Sequence, residues 1–458
     1  MPVAFSRPTA ALLAAAGLAL AAAPPASARS PVSTQIEAGV RSFSDPGVIN
    51  FYRNRAHKPL WTANGQVHPA TATLVAILDR ADLDGMEDGP ARARDLRRML
   101  DGLDASRPDQ LAKAELALSR AWIDYVQTLR RPVKVGMVYA PGAVSPAAPF
   151  PAQILADAAA ADDLSAHLRR ASDLNPIYKR LRDGLAALDA RGPAVLASAG
   201  PGRSAKAQIR LNLDRARAIP VTAEGRAIIV DAASATLFMI EDGEVQGSMR
   251  VAVGKPEEAT PMLSGVLREA VLNPYWNVPP DLVRKRVAAG VLAEGTKFLR
   301  AKNYEVLSGW SEDAKVIDPA TVDWKAVAAG RAEARVRQLP GRDNAMGEMK
   351  FNFPNGMGIY LHDTPDKSIF SAADRRLSSG CVRLEDARRL AAWLFGRTPK
   401  PQGGRPEQAV ALSTAVPVTI TYLTADWDGQ RFAFRPDGYG RDQDAGRLAL
   451  ADQTRGGN

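Results

Sequence analysis

The hydrophobic period of this chain changes at about residue 226, and the change calls for two differently built halves. Upstream, apolar residues recur at helical spacing, as in Leu74, Ile77, Leu78 and Ala81 and again in Leu118, Trp122, Tyr125, Val126 and Leu129. That pattern predicts amphipathic helices, each burying one stripe. Downstream come short β-prone runs, Ala227 to Val230, Thr236 to Ile240 and Met249 to Val253, the last two separated by Asp242-Gly243. Asp-Gly tolerates the positive φ angles of a tight hairpin turn. A second pair, Val416 to Leu423 and Arg431 to Phe434, lies around Asp428-Gly429. The expected fold class is α+β: a helical scaffold domain over residues 29–210, then a mainly β, mixed-sheet and sandwich-like domain over 211–435. Arg131 to Pro151 reads as a Pro- and Gly-rich loop, and Gly192 to Ser204 as a boundary. An excursion at about 280–345 is charged, weakly periodic and too long for a hairpin loop, so a lid or a disordered insert is expected there. Residues 436–458 hold little to bury and are expected to form a flexible tail.

The first residues bear on compartment. Arg7 precedes an Ala- and Leu-rich run from Ala10 to Ala23 and then Ala26-Ser27-Ala28, the layout of a signal peptide spanning residues 1–28. No later stretch approaches about 18 uninterrupted apolar residues, so no transmembrane segment is expected in the mature chain. An exported chain with one cysteine closes no internal disulfide; Cys381 is either a buried small hydrophobe or a thiol kept for its chemistry. The formal charge of +9 favours anionic partners. The arginines are dispersed, without a basic block or aromatic interleaving, which argues against nucleic acid and leaves a polyanionic wall polymer. Four histidines, His57, His68, His167 and His362, offer no zinc-like spacing, so neither a metal nor another cofactor is expected.

The chemistry concentrates in Tyr360-Leu-His-Asp-Thr-Pro365 and Arg375-Arg-Leu-Ser-Ser-Gly-Cys-Val-Arg383. A thiol attacks a carbonyl as thiolate and needs a base to take its proton. His362 is the nearest candidate base for Cys381. Gly380 allows a sharp turn, and the amides of Gly380 and Cys381 could face a developing oxyanion. Leu384, Ala387, Leu390, Ala391, Leu394 and Phe395 have helical spacing and stop at Gly396, which is expected to set the thiol just before a helix N-terminus. Arg383 and Arg375 are candidates to hold substrate carboxylates, with solvated surface charges as the alternative. Tyr360 either touches substrate or belongs to the core.

These segments resemble the signature of the YkuD-type L,D-transpeptidases, in particular their large periplasmic YcbB-like branch. Asn212 to Pro220, Val253-Gly254-Lys255 with Thr260-Pro261, Leu272 to Pro279 and Arg337 to Asn344 resemble that branch in order, as does Phe51-Tyr52 through Trp61. Ser379 stands where many members have histidine; the YcbB-like branch also has Ser-Ser-Gly-Cys. The resemblance implies a periplasmic enzyme whose Cys381 attacks the carbonyl between meso-diaminopimelate and D-alanine of a peptidoglycan stem peptide, releases D-alanine and passes the acyl group to another stem, making a 3-3 cross-link. His362 would be the base, oriented by the backbone carbonyl of Asp363. Carbapenems would acylate the thiol. Asn344, Trp276 and Ser379 join the candidate substrate contacts, with packing as the alternative for Asn344 and Trp276. No small peptidoglycan-binding lobe is evident between Pro176 and Gln208, so other surfaces or other wall-synthesis proteins would supply targeting. Two other readings stay open: the same acyl-enzyme serving exchange, hydrolysis or lipoprotein attachment or release, and a non-catalytic wall-binding scaffold.

Overall fold

A computed structural model describes residues 30–63, 66–196, 204–220, 224–311 and 313–443. The expected signal peptide and residues 444–458 lie outside the described residues. No helix among those described is long and apolar enough to cross a membrane.

The N-terminal lobe is helical because its sequence alternates cap residues with amphipathic runs. Asp45, Asp163, Asn175 and Ser204 each accept a hydrogen bond from an amide of the first turn of the helix that follows, satisfying donors a helix start leaves free. The central helix, Pro108–Leu129, buries Leu118, Trp122, Tyr125, Val126 and Leu129, the stripe its spacing predicts. Its core continues into the β half through Ile229, Ile240, Leu423, Trp427 and Phe432. Helix Pro176–Arg191 admits this approach at Gly184, where a Cβ would lie 2.5 Å from the Phe432 ring.

The β half is built on a ten-stranded mixed sheet. Its strands are β1 (Val138–Tyr139), β2 (Arg226–Asp231), β3 (Thr236–Glu241), β4 (Glu244–Gly254), β5 (Leu263–Leu272), β6 (Met349–Asn352), β7 (Leu361–His362), β8 (Arg376–Ser378), β9 (Val382–Leu384) and β10 (Gln408–Thr421). The order is β6-β7-β9-β4-β3-β2-β10-β5-β1, with β8 on β4, and β6 also pairs with β5 so that the sheet closes on itself. Closure removes sheet edges. β1 comes from the Arg131 to Pro151 loop, which therefore ties the helical lobe to the sheet. Helix Ala387–Phe395 packs Leu390, Ala391 and Leu394 into the sheet core and ends at Gly396 in the left-handed region.

One expectation, a lid or a disordered insert, takes the form of the first alternative, and another needs correction. The excursion is an ordered lobe: Trp276–Asn277, Tyr304–Leu307, Val316–Ile317 and Arg335–Gln338 form an antiparallel four-stranded sheet. Val283, Val287, Leu299, Val306, Trp324 and Val336 give it a core of its own, assembled from short elements whose apolar residues are too few per element to show a period. The start of the expected tail, residues 436–443, is packed rather than mobile. Its polar residues are partnered: Asp442 meets the buried Arg215 at 2.6 Å and accepts from Thr424 at 2.9 Å, and Tyr439 stacks on Tyr422.

Candidate active site

The site is created by a parallel strand pair. β7 and β9 are neighbours in register Leu361↔Val382 and His362↔Arg383, and the Val382 amide donates to the Tyr360 carbonyl at 3.0 Å. The 18 residues between His362 and Cys381 are thus the crossover that brings the two strands side by side. Strand alternation then sorts the side chains: Leu361, Val382 and Leu384 enter the core, while His362 and Arg383 line a cleft with Cys381. Lys350 of β6 is the register partner of His362, so Lys350, His362 and Arg383 form a row across three strands. The cleft, about 540 Å³, is roofed by the inserted lobe through Trp276, Leu282, Arg286 and Tyr304.

His362 is 5% exposed, and its Nδ1 lies 2.6 Å from the Asp363 carbonyl oxygen. A carbonyl only accepts, so Nδ1 carries the proton and Nε2 keeps its lone pair. Burial first, and then the Arg383 charge, push the imidazole down to about 4; it is neutral at ordinary pH, as a base must be. Behind it, the Asp363 carboxylate accepts from Lys367 at 2.6 Å and from the Glu348 amide at 2.9 Å. Gly347, at φ +63°, makes this approach feasible, since a Cβ there would sit 2.4 Å from Asp363 Oδ2.

Cys381 is half-buried at the turn before β9, and Sγ donates to the Gly358 carbonyl at 3.6 Å. Burial pushes the thiol up; the Tyr360 backbone amide and the Arg383 guanidinium pull it back. The resting pair is therefore thiol and neutral imidazole, with proton transfer left for the moment of attack.

The cleft brings together Cys381, His362, Arg383, Tyr360, Ser379 and Trp276. Arg383 Nε is buried and has no hydrogen-bond partner among the described residues. Trp276 packs toward Tyr304 with ring centroids 6.4 Å apart, and Ser379 hydrogen-bonds the Glu258 carboxylate, holding it below its usual range.

Other expected residues do different work. Arg375 donates to the carbonyls of Val251, Ala372, Ser234 and Ala235; with four of the five guanidinium N–H groups so used it pins backbone, and it is not among the residues that line the cleft. Asn344 donates to three carbonyls, of Pro274, Gln338 and Leu339, and accepts from Met346, so it is a loop organiser. The Gly380 amide donates to Ser378 Oγ at 3.1 Å and is not free for an oxyanion. Strand β9 intervenes between Cys381 and the helix, which begins at Ala387 behind the cap Asp386, so the thiol does not sit at a helix N-terminus. Lys350 and Arg286 were not singled out from sequence as cleft residues. For Lys350 the signal was available in the alternation of β6; for Arg286 it was not, because the inserted lobe showed no period.

Fold and site together define a β domain that holds a thiol and a neutral imidazole in one cleft beneath an inserted lobe, joined to a helical domain. Residues 225–418 match the YkuD family model, an L,D-transpeptidase catalytic domain, and residues 46–185 match the Scaffold domain model. A Haemophilus influenzae protein named "Putative L,D-transpeptidase" is 32% identical over 243 residues, which cover 52% of this chain and 48% of that one. The chain thus spans about half the length of the curated relative it matches. Among solved structures, an L,D-transpeptidase from Mycobacterium smegmatis is 15% identical over 43% of this chain and 58% of its own, with a TM-score of 0.22. L,D-transpeptidase 3 from Mycobacterium tuberculosis, in complex with a faropenem-derived adduct, is 13% identical over 43% and 60%, at 0.21. Scores this low carry no weight for fold or site.

Proposed function

We propose that this protein is a periplasmic peptidoglycan L,D-transpeptidase that works through a thioester on Cys381. His362 Nε2 takes the thiol proton as Sγ attacks the carbonyl between meso-diaminopimelate and D-alanine. The tetrahedral intermediate collapses, the carbon–nitrogen bond breaks, and the proton leaves on the D-alanine amine. The side-chain amine of a second stem then attacks the thioester, gives its proton to His362, and the sulfur departs, leaving a 3-3 cross-link. Asp363 holds the ring through its carbonyl. Arg383, with Arg286 and Lys350 nearby, offers positive charge to the stem's carboxylates. Tyr360, Ser379 and Trp276 bound the groove in which the stem lies. The periplasmic location rests on the sequence of residues 1–28.

The observation that carries this reading is the 2.6 Å Nδ1 contact, which leaves a basic nitrogen facing the same cleft as the chain's single cysteine. Intact-protein mass spectrometry after exposure to meropenem tests it. One adduct on Cys381, absent in Cys381→Ala, is expected; folded wild-type protein without an adduct at neutral pH would sink the proposal. Muropeptide analysis of walls made with and without the protein then identifies the acceptor: 3-3 dimers support cross-linking, whereas only trimmed or D-amino-acid-exchanged stems would replace it with hydrolysis or exchange.

A further inference from the structure

We infer that Thr260 is a positioning residue for the reaction: its hydroxyl fixes the peptide plane between Gly380 and Cys381, and so aims the Cys381 amide at the developing oxyanion. The inference rests on the transpeptidase reading given above.

Thr260 is fully buried behind the cleft. Its Oγ1 donates to the Gly380 carbonyl at 2.7 Å and accepts from the Gly254 amide at 2.7 Å. A hydroxyl has one proton, so acceptance from Gly254 commits that proton to Gly380 and sets its direction. The Gly380–Cys381 peptide is trans and planar, which makes its carbonyl and its N–H point in opposite directions. Holding the carbonyl back toward Thr260 therefore sends the Cys381 N–H forward. The other nearby amide, that of Gly380, is already bonded to Ser378 Oγ, and the same hydroxyl donates to the Cys381 carbonyl at 2.5 Å. No hydrogen bond among the described residues takes up the Cys381 amide. Gly380 sits at φ +110°, a conformation that favours glycine, and the hydrogen bonds to its carbonyl and from its amide hold it from both sides.

Thr260 is itself held by residues that the sequence placed in a flexible tail. Arg441 donates to the Thr260 carbonyl at 2.7 Å. Its guanidinium lies over both Tyr422 and Tyr439, 5.2 and 5.0 Å from their centroids. Tyr439 donates to the Gly254 carbonyl. Asp437 accepts from the Tyr422 hydroxyl at 3.0 Å and the Arg441 amide at 2.9 Å. At Gly254 a Cβ would meet the Glu258 carbonyl at 2.1 Å, so the loop between Gly254 and Thr260 can close only over glycine.

The test compares two reactions of one thiol. Acylation by meropenem passes through an oxyanion and needs the amide; alkylation by iodoacetamide is a displacement at carbon that develops none. In Thr260→Val, which keeps the shape and loses the hydroxyl, the maximal acylation rate is expected to fall about 10- to 100-fold. The half-saturating meropenem concentration and the pH profile of alkylation should stay as in wild type, and Thr260→Ser should restore acylation. Ser264→Ala, which removes a buried hydroxyl on β5 partnered by Thr419 at 3.2 Å, controls for lost stability and should acylate normally. Equal losses in acylation and alkylation, or Thr260→Val acylating at the wild-type rate, would overturn the inference alone. A wild-type protein that is alkylated but never acylated removes the transpeptidase reading, and the inference with it. If Thr260→Val does not fold, the acylation-to-alkylation ratio of Thr260→Ser and Thr260→Ala decides: a ratio that stays at the wild-type value in both refutes it.

Discussion

Glu115 in the helical lobe and His362 in the β domain are both buried ionisable groups, and they are finished differently. The Glu115 carboxylate accepts from the Leu60 and Trp61 amides, each at 2.7 Å, and from the Tyr52 hydroxyl at 2.9 Å. Ser119 closes the cluster against Tyr52 and the Trp61 indole. Every donor comes from inside the lobe, and the group fastens the Leu60–Trp61 segment to the central helix. His362 is satisfied on one nitrogen only. Its Nδ1 meets Asp363, while Nε2 has no hydrogen bond among the described residues and shares a cleft with the thiol. A saturated buried group is a fastener; one with an open valence facing a cleft is equipped for chemistry.

Exchanging the two roles by mutation should break this contrast if it is mistaken. His362→Ala is expected to lower the meropenem acylation rate by about 10²–10⁴, with the chemical-denaturation midpoint little changed. Glu115→Ala should do the reverse. It leaves the Leu60 and Trp61 amides without their acceptor, at a cost of roughly 2 kcal/mol or more, while acylation measured in the folded state stays at the wild-type rate. Loss of acylation in folded Glu115→Ala would show that the lobes are coupled more tightly than their contacts indicate.

The titrations sharpen the same contrast with a smaller effect. Burial pushes the Glu115 carboxyl up to about 7 from its ordinary 4.5. The native state then holds a proton that the unfolded chain has released, so this stability is complete below about 4.5 and is lost as pH rises through 7. His362 runs the other way. With its ordinary value of 6.5 held down to about 4, its contribution is complete above about 6.5 and is lost as pH falls through 4. Denaturation midpoints across pH 4 to 7 should therefore tilt in opposite senses: Glu115→Gln removes a decline with rising pH, and His362→Ala removes a gain. The same depression keeps the acylation base neutral well below pH 6. In Arg383→Ala, which deletes the second-largest cause of the depression, the acid limb of acylation should move upward in pH.

How much of this was legible in the sequence depended on whether a residue's role is local. The helical stripe of Pro108–Leu129 and the hairpin strands around Asp242-Gly243 follow from period and turn chemistry, and both appear as read. Cys381 and His362 could be paired because two short motifs carry them, although the parallel register that juxtaposes them is a non-local fact. The two arginines around the thiol mark the limit. Arg383 follows Val382 on a strand whose alternation turns it into the cleft, whereas Arg375 lies where β4 and the Ser234–Ala235 turn present three carbonyls, partners more than 100 positions away in the chain. The packed segment 436–443 was misread, and the choice between lid and disordered insert at 280–345 was left open, because the tail's order comes from partners elsewhere in the chain and the lobe's core is assembled from short elements, and composition reports only what a segment can bury by itself.

The smallest effect concerns Arg286, a cleft cation in the inserted lobe. Arg286 belongs to a short π-helical stretch, Val283–Val287, of the inserted lobe, where Val283 and Val287 are buried and Arg286 faces the cleft. π-Helical turns commonly mark functional positions because they rotate one side chain off the α-helical face. Burial first, and then the Arg286 charge, lower the Arg383 guanidinium, as expected for like charges facing a common space. An exposed cation of this kind contributes at most about 1 kcal/mol to an anionic ligand. Arg286→Ala is thus expected to slow meropenem acylation about two- to fivefold at low salt, through a higher half-saturating concentration rather than a lower maximal rate. The deficit should shrink as ionic strength rises toward 0.5 M, because screening removes from the wild type what the mutation removes from the variant. A deficit that is independent of salt, or one confined to the maximal rate, would mean that Arg286 acts by shaping the roof of the cleft and not by its charge.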